Sequence, residues 1–173
     1  ASHSTYRPVA VYASDVNGDG ITELPRAVLM AGYKDTSSSD AVYMLDWYAY
    51  GIGKVPAKVA TTYQNISDAW SLLIDQKWHD RITAIKANDG GLSYVEFFEY
   101  RKNKMSIPLF NIYCATGSNR EYYAERTDLI QLGQTTQAIY FAKLTNEGEQ
   151  SELALTGDEI KARFSLVNQA WNN

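Results

Sequence analysis

Asp15, Asn17, Asp19, Ile21 and Glu23 stand at alternate positions of one short polar stretch, and they carry the clearest chemistry in the chain. The run Asp15-Val16-Asn17-Gly18-Asp19-Gly20-Ile21-Thr22-Glu23 reads D-x-N-x-D-G-x-x-E. Oxygens at every second position of a tight curl can converge on one centre, and calcium is a hard cation that takes six to eight oxygens at about 2.3–2.6 Å. Asp15, Asn17 and Asp19 supply the side-chain triplet, Ile21 offers its backbone carbonyl, and Glu23 closes the far side. Gly18 and Gly20 permit the positive φ angles that such a curl needs. Three carboxylates this close are unfavourable together unless a cation offsets them. An EF-hand would need its closing carboxylate at the twelfth position. Counting from Asp15 that residue is Arg26, preceded by Pro25, so the EF-hand register fails. The alternative is a metal-free turn, since Asn, Asp and Gly form turns in any case.

Strand-like runs lie on both sides of the curl, at 9–14 and 24–30. In this setting the segment resembles the strand–loop–strand calcium loops of FG-GAP and VCBS-type repeats, whose pattern is D-x-D/N-x-D-G-x-x-D/E. The resemblance spans residues 8–31. It implies Ca2+ held by Asp15, Asn17, Asp19, the Ile21 carbonyl and Glu23, in a propeller-blade-like sheet. Two departures matter: the motif occurs once, whereas a closed propeller takes about four or more blades, and the closing acid is Glu rather than the commoner Asp.

Other candidates are weaker. His79 stands beside Asp80, which could orient it as a base, and a hydrolase built from His79 and carboxylates is one alternative function. No Ser or Cys nucleophile has a recognisable setting to go with it. Tyr48 and Tyr50 share one face of a predicted strand and could form a flat ligand platform for sugar, which makes a carbohydrate-binding module the other alternative. Trp47 falls on the opposite face with Tyr43 and Leu45, as core. The lone cysteine, Cys114, excludes an intrachain disulfide, and its neighbours Phe110 and Ile112 mark it as a small buried apolar residue. Arg101-Lys102-Asn103-Lys104 reads as a solvated turn.

The elements that must position these residues are mostly strands. The chain has 173 residues, with 45% apolar and 21% charged, enough for a sizeable core without staples. Thirteen Tyr, four Trp and five Phe, with many Val, Ile and Thr, suit pleated surfaces. Four strands are expected over 8–14, 24–33, 41–50 and 55–63, forming a blade-like sheet within 1–65. Residues 65–80 read either as a short capped helix or as a buried strand. Beyond them a β-rich region, 66–173, contains a hairpin turning at Asn88-Asp89-Gly90-Gly91, a turn at 101–104, a strand over 107–115 and weaker strands near 128–132 and 137–144. It either stands apart from 1–65 or continues it as one domain. Thr156 and Glu159 have capping-box spacing. Ile160, Phe164, Val167 and Trp171 then continue as one helical stripe, which predicts a C-terminal helix packed on the sheet. The fold class is therefore mainly β, of α+β type, with antiparallel sheets.

Composition bounds the partners. Sixteen Lys+Arg against 20 Asp+Glu give a net charge of −4, which argues against nucleic acid. No apolar run is long enough for a transmembrane segment. The chain opens on Ala1 rather than Met, so a processed chain is expected, with a lipid anchor possible upstream. The stretch from Asp80-Arg81-Ile82-Thr83 through Leu109-Phe110-Asn111-Ile112-Tyr113 to Ala138-Ile139-Tyr140-Phe141-Ala142 resembles uncharacterised exported or lipid-anchored proteins of Gram-positive gut anaerobes. That resemblance implies an extracytoplasmic, bacterial location and no activity. Together these readings point to a non-catalytic, exported or surface-associated module with a structural calcium loop and a protein or glycan partner.

Overall fold

Alternating apolar residues in short runs, punctuated by Gly, Asn and Asp, produce antiparallel strands throughout the chain. A computed structural model describes residues 9–37, 40–89, 92–118 and 120–167. The first sheet contains β1 (Leu24–Leu29), β2 (Tyr43–Ala49), β3 (Ala57–Asn65), β4 (Trp70–Leu73) and β10 (Phe164–Leu166), in the order β1-β2-β3-β4-β10. The second contains β5 (Ile82–Asp89), β6 (Leu92–Arg101), β7 (Lys104–Thr116), β8 (Ile130–Gln134) and β9 (Ala138–Leu144), in the order β5-β6-β7-β9-β8. Every neighbouring pair is antiparallel. Three short helices, α1 (Arg120–Ala124), α2 (Asn146–Glu149) and α3 (Gly157–Arg163), and a 3-10 turn at Gln76–Trp78 complete the described elements. The mainly β, antiparallel reading of the sequence is what the chain adopts.

The two sheets share one core. A line of ring contacts runs from Trp78 to Phe110, Phe97, Tyr63, Trp70, Phe164 and Tyr140, with centroid separations between 4.8 and 5.9 Å. It passes from β7 and β6 of the second sheet to β3, β4 and β10 of the first, then returns to β9. Aromatic side chains bury about 150–250 Å² each, so this line accounts for much of the apolar burial between the sheets. Cross-sheet hydrogen bonds reinforce it: the Tyr33 hydroxyl donates to the Ala84 carbonyl at 2.6 Å, and the Tyr140 hydroxyl to the Asp68 carbonyl at 2.8 Å. Cys114 is buried in this core, where desolvation first and the Asp68 charge second push its thiol up to about 11.

Several sequence expectations shift for identifiable reasons. Residues 9–13 form no strand, and the adjoining Ser14 pairs with Glu23 as an isolated bridge. The strand expected from 55 begins at Ala57, because Pro56 has no N–H to give a ladder. Val55 is left 89% exposed in the connection. The ambiguous stretch 65–80 resolves as a tight turn over 66–69, then β4 and the 3-10 turn. The hairpin expected at 88–91 forms between β5 and β6, although residues 90–91 lie outside the described set. Lys102 and Asn103, at φ of 48° and 60°, turn β6 into β7.

The C-terminal helix is the main correction. Its capping box is present: Thr156 accepts from the Glu159 N–H, and Glu159 accepts from the Thr156 N–H. The helix nevertheless stops at Arg163, and Phe164 opens β10, which pairs with β4 in the register Phe164↔Leu72. The ladder partner offered by β4 outcompetes the helical stripe, and Phe164 reaches the core from a strand. Trp171 lies outside the described residues. With β4 and β10 included, the first sheet draws on residues well beyond 65, and α3 remains as the short helix beside it.

Candidate functional site

The acidic curl occupies the entrance to β1. Ser14 and Glu23 exchange both backbone hydrogen bonds, at 3.1 and 2.9 Å, and close the curl at its base. Inside it, Asp15 gathers the backbone. Its Oδ1 accepts from the N–H groups of Gly18 and Asp19 at 2.7 and 3.1 Å, and its Oδ2 accepts from Gly20 at 2.8 Å. The Gly20 N–H does most to hold the Asp15 carboxyl below its ordinary value; desolvation opposes it, and the N–H groups of Gly18, Asp19 and Asn17 add to the lowering. Asn17 Oδ1 accepts from the Asp19 N–H at 3.1 Å, while its Nδ2 donates to Asp19 Oδ2 at 2.9 Å. Ile21 is half exposed, and its N–H donates to Asp19 Oδ1 at 2.8 Å. Gly18 and Gly20 hold φ of 77° and 83°, the left-handed values for which their lack of a Cβ suits them.

Asp15, Asp19 and Glu23 each bring a carboxylate oxygen within 4.8 Å of the other two. Two ligands on opposite sides of a calcium ion are separated by about 4.8 Å, twice a bond of about 2.4 Å, so one ion fits this span. Among the described residues this is the one cluster of three or more His, Cys, Asp or Glu side chains.

Glu23 differs from its companions. Asp15 and Asp19 are exposed, whereas Glu23 is 0% exposed. Its Oε2 accepts from the Val16 N–H at 2.9 Å, and its Oε1 is buried with no hydrogen-bond partner. An unpartnered buried carboxylate oxygen is rare in folded proteins, because its desolvation is not repaid. The Tyr63 hydroxyl and Gln64 Oε1 are also orphaned, but only Glu23 is acidic and belongs to a cluster of carboxylates.

The remaining sequence candidates lie elsewhere. Tyr48 is half-buried on β2, and Tyr50 lies just past the strand end at 57% exposure. Trp47 and Leu45 are buried, but alternation places them on the face opposite Met44 and Tyr63, which belong to the shared core. There the Trp47 indole donates to Thr62 Oγ1 at 2.8 Å. His79 Nδ1 lies 3.1 Å from Asp80 Oδ2, both largely exposed. It borders a groove of about 260 Å³ whose lining includes Lys58, Thr61, Asp75 and Arg163. Sequence reading missed this groove, because it is assembled from β3, the 3-10 turn and α3. The Arg163–Asp75 ion pair within it, at 2.6 Å, joins residues far apart in the chain. It also missed the exposed aliphatic residues of the β2–β3 connection, where Ile52 and Val55 sit among Gly51, Gly53 and Pro56.

No protein-family model matches the chain, and neither the curated proteins nor the solved structures yield a match. No helix among the described residues is long and apolar enough to cross a membrane.

Proposed function

We propose that the chain is a non-catalytic, calcium-stabilised β module whose loop 15–23 is of the FG-GAP/VCBS type. The observation that carries this reading is the buried Glu23 carboxylate, with an orphaned oxygen, in a cluster with Asp15 and Asp19. A divalent cation would supply the missing partner and offset the three charges together. Oxygen-only ligands in an irregular loop suit calcium, whose coordination tolerates varied geometry, better than magnesium, which demands octahedral geometry at about 2.0–2.1 Å. An exported or surface-associated setting fits a solvent-facing loop of this kind, since extracellular calcium modules work at dissociation constants of about 0.1–1 mM. The ion's task in this reading is to brace the curl against the first sheet.

Isothermal titration with calcium, and with magnesium as comparison, tests the proposal. One calcium should bind per chain, with magnesium weaker. Asp19→Ala should remove the binding heat while leaving the circular dichroism of the fold unchanged. A chain that takes up no calcium at millimolar concentration, about the weakest range of natural calcium modules, refutes it.

A further inference from the structure

The β2–β3 connection places large aliphatic side chains in solvent. Ile52 is 106% exposed, Val55 89% and Tyr50 57%. Gly53, at φ of 71°, and the Lys54 N–H bond to the Gly51 carbonyl at 3.1 Å make the tip a tight convex turn. The Lys54 stem folds back over the turn, its Cδ 3.3 Å from where a Gly51 Cβ would lie. Turn positions normally hold polar residues, and exposed apolar side chains gathered on one turn mark an interaction site.

The tip and the acidic curl emerge from the same end of the first sheet. Leu24, next to Glu23, pairs with Tyr48, and Tyr48 leads directly into the tip. Ile21 in the curl and Leu24 at the start of β1 are also exposed, at 50% and 46%. This end therefore combines protruding aliphatics, the Lys54 ammonium and a cluster of three carboxylates.

Resting on the calcium reading above, we propose that this end docks in a calcium-dependent manner on an anionic lipid bilayer, with Ile52 and Val55 entering the acyl boundary. Three features favour a bilayer over a protein groove. The aliphatic side chains project from a convex turn, which a deformable apolar medium can surround on all sides. Lys54 lies between them and can reach a headgroup phosphate while its stem stays in the apolar layer. The curl provides five candidate ligands, so a cation that takes six to eight oxygens has positions left for headgroup oxygens. Without the ion, three carboxylates repel an anionic surface; with it, their local charge falls from −3 to −1.

Co-sedimentation with vesicles of phosphatidylserine and phosphatidylcholine, in calcium or in chelator, tests this, with pure phosphatidylcholine vesicles as control. Binding should require both phosphatidylserine and calcium. The double variant Ile52→Asp/Val55→Asp should lose roughly tenfold or more in vesicle affinity for each side chain. Its calcium titration in solution should match the parent, which keeps the two readings separable. Calcium uptake without vesicle binding overturns the docking and leaves the loop reading intact; no calcium uptake removes both. Vesicle binding that persists in chelator or in the double variant also overturns it. So does calcium-dependent self-association that the double variant abolishes without any lipid binding, which would assign the tip to a protein contact.

Discussion

Glu23→Gln offers the sharpest test of the loop, because its effect should change sign with calcium. In chelator, the parent keeps a buried carboxylate with one oxygen unpartnered. The amide removes that charge and retains an acceptor for the Val16 N–H. It also gains two donors close to the Asp15 and Asp19 oxygens. Relief of an unsatisfied buried group is worth about 1–3 kcal/mol, so the variant should be the more stable protein without metal. For a chain of this length, about 2–4 °C accompanies each kcal/mol, which gives a rise of roughly 2–12 °C. With calcium about a hundredfold above its dissociation constant, linkage stabilises the parent by about 2.7 kcal/mol, more than the ~2 kcal/mol middle of that relief. The variant, lacking its closing ligand, should gain almost nothing. The melting curves therefore cross: the variant leads in chelator, and the parent leads in saturating calcium. Differential scanning calorimetry over a calcium series reads both limits. A variant that is less stable than the parent in chelator, with an equal response to calcium, would show that Glu23 is an ordinary structural acid.

Other consequences follow from the packing. Glu99 is fully covered and accepts from Arg81 at 3.3 Å, from the Ser151 hydroxyl at 2.8 Å and from Arg101. Burial alone would push its carboxyl up, but Arg101, Ser151 and Arg81 together outweigh that and hold it below its ordinary 4.5. A lowered folded-state value means stability that is fully present above pH 4.5 and is lost as the pH falls through the folded value. Glu99→Gln should therefore flatten the acid limb of urea midpoints measured below pH 4.5. At neutral pH it should cost about 1–3 kcal/mol, less than a fully buried pair because both arginines are partly hydrated. Gly148→Ala would place a Cβ 2.2 Å from the Leu109 carbonyl oxygen, and urea denaturation should show a loss of about 2–3 kcal/mol. Phe97→Ala removes the ring between Tyr63 and Phe110 and should cost about 3–5 kcal/mol by the same measurement.

What could be read from the sequence follows the range of the interactions involved. The curl was legible because its acids, glycines and turn bonds all lie within nine consecutive residues. The capping box at Thr156 and the turn at Lys102-Asn103 are equally local. The end of α3 was not legible. Ile160, Phe164 and Val167 keep helical spacing, but Phe164 finds a ladder partner in Leu72 and ring contacts with Trp70 and Tyr140. No local pattern encodes that pairing. The burial of Glu23 was hidden for the same reason, since a periodicity argument cannot show which acid of a polar loop the folded chain will cover. Residues 9–13 show the converse: their alternation is as regular as that of β1, yet they form no strand, and the neighbouring Ser14 pairs with Glu23 as an isolated bridge.

That bridge determines what an ion in the curl could do for the fold. Glu23 is at once the backbone partner of Ser14, the residue directly before β1, and the buried acid of the cluster. Asp15 and Asp19 tie themselves to the loop backbone and face solvent, so an ion held by those two alone would stabilise only the curl. Glu23 instead transmits any gain in ligand energy to the edge of the first sheet, because displacing its side chain also disturbs the pairing of Ser14 and the start of β1. The Leu24↔Tyr48 register then carries the constraint to the end of β2, where the exposed tip begins. Calcium binding should accordingly protect the amides of Glu23 and Ser14 from hydrogen exchange more than those of the exposed loop crown. Uniform protection across 15–23, with none at Ser14, would confine the ion's influence to the curl itself.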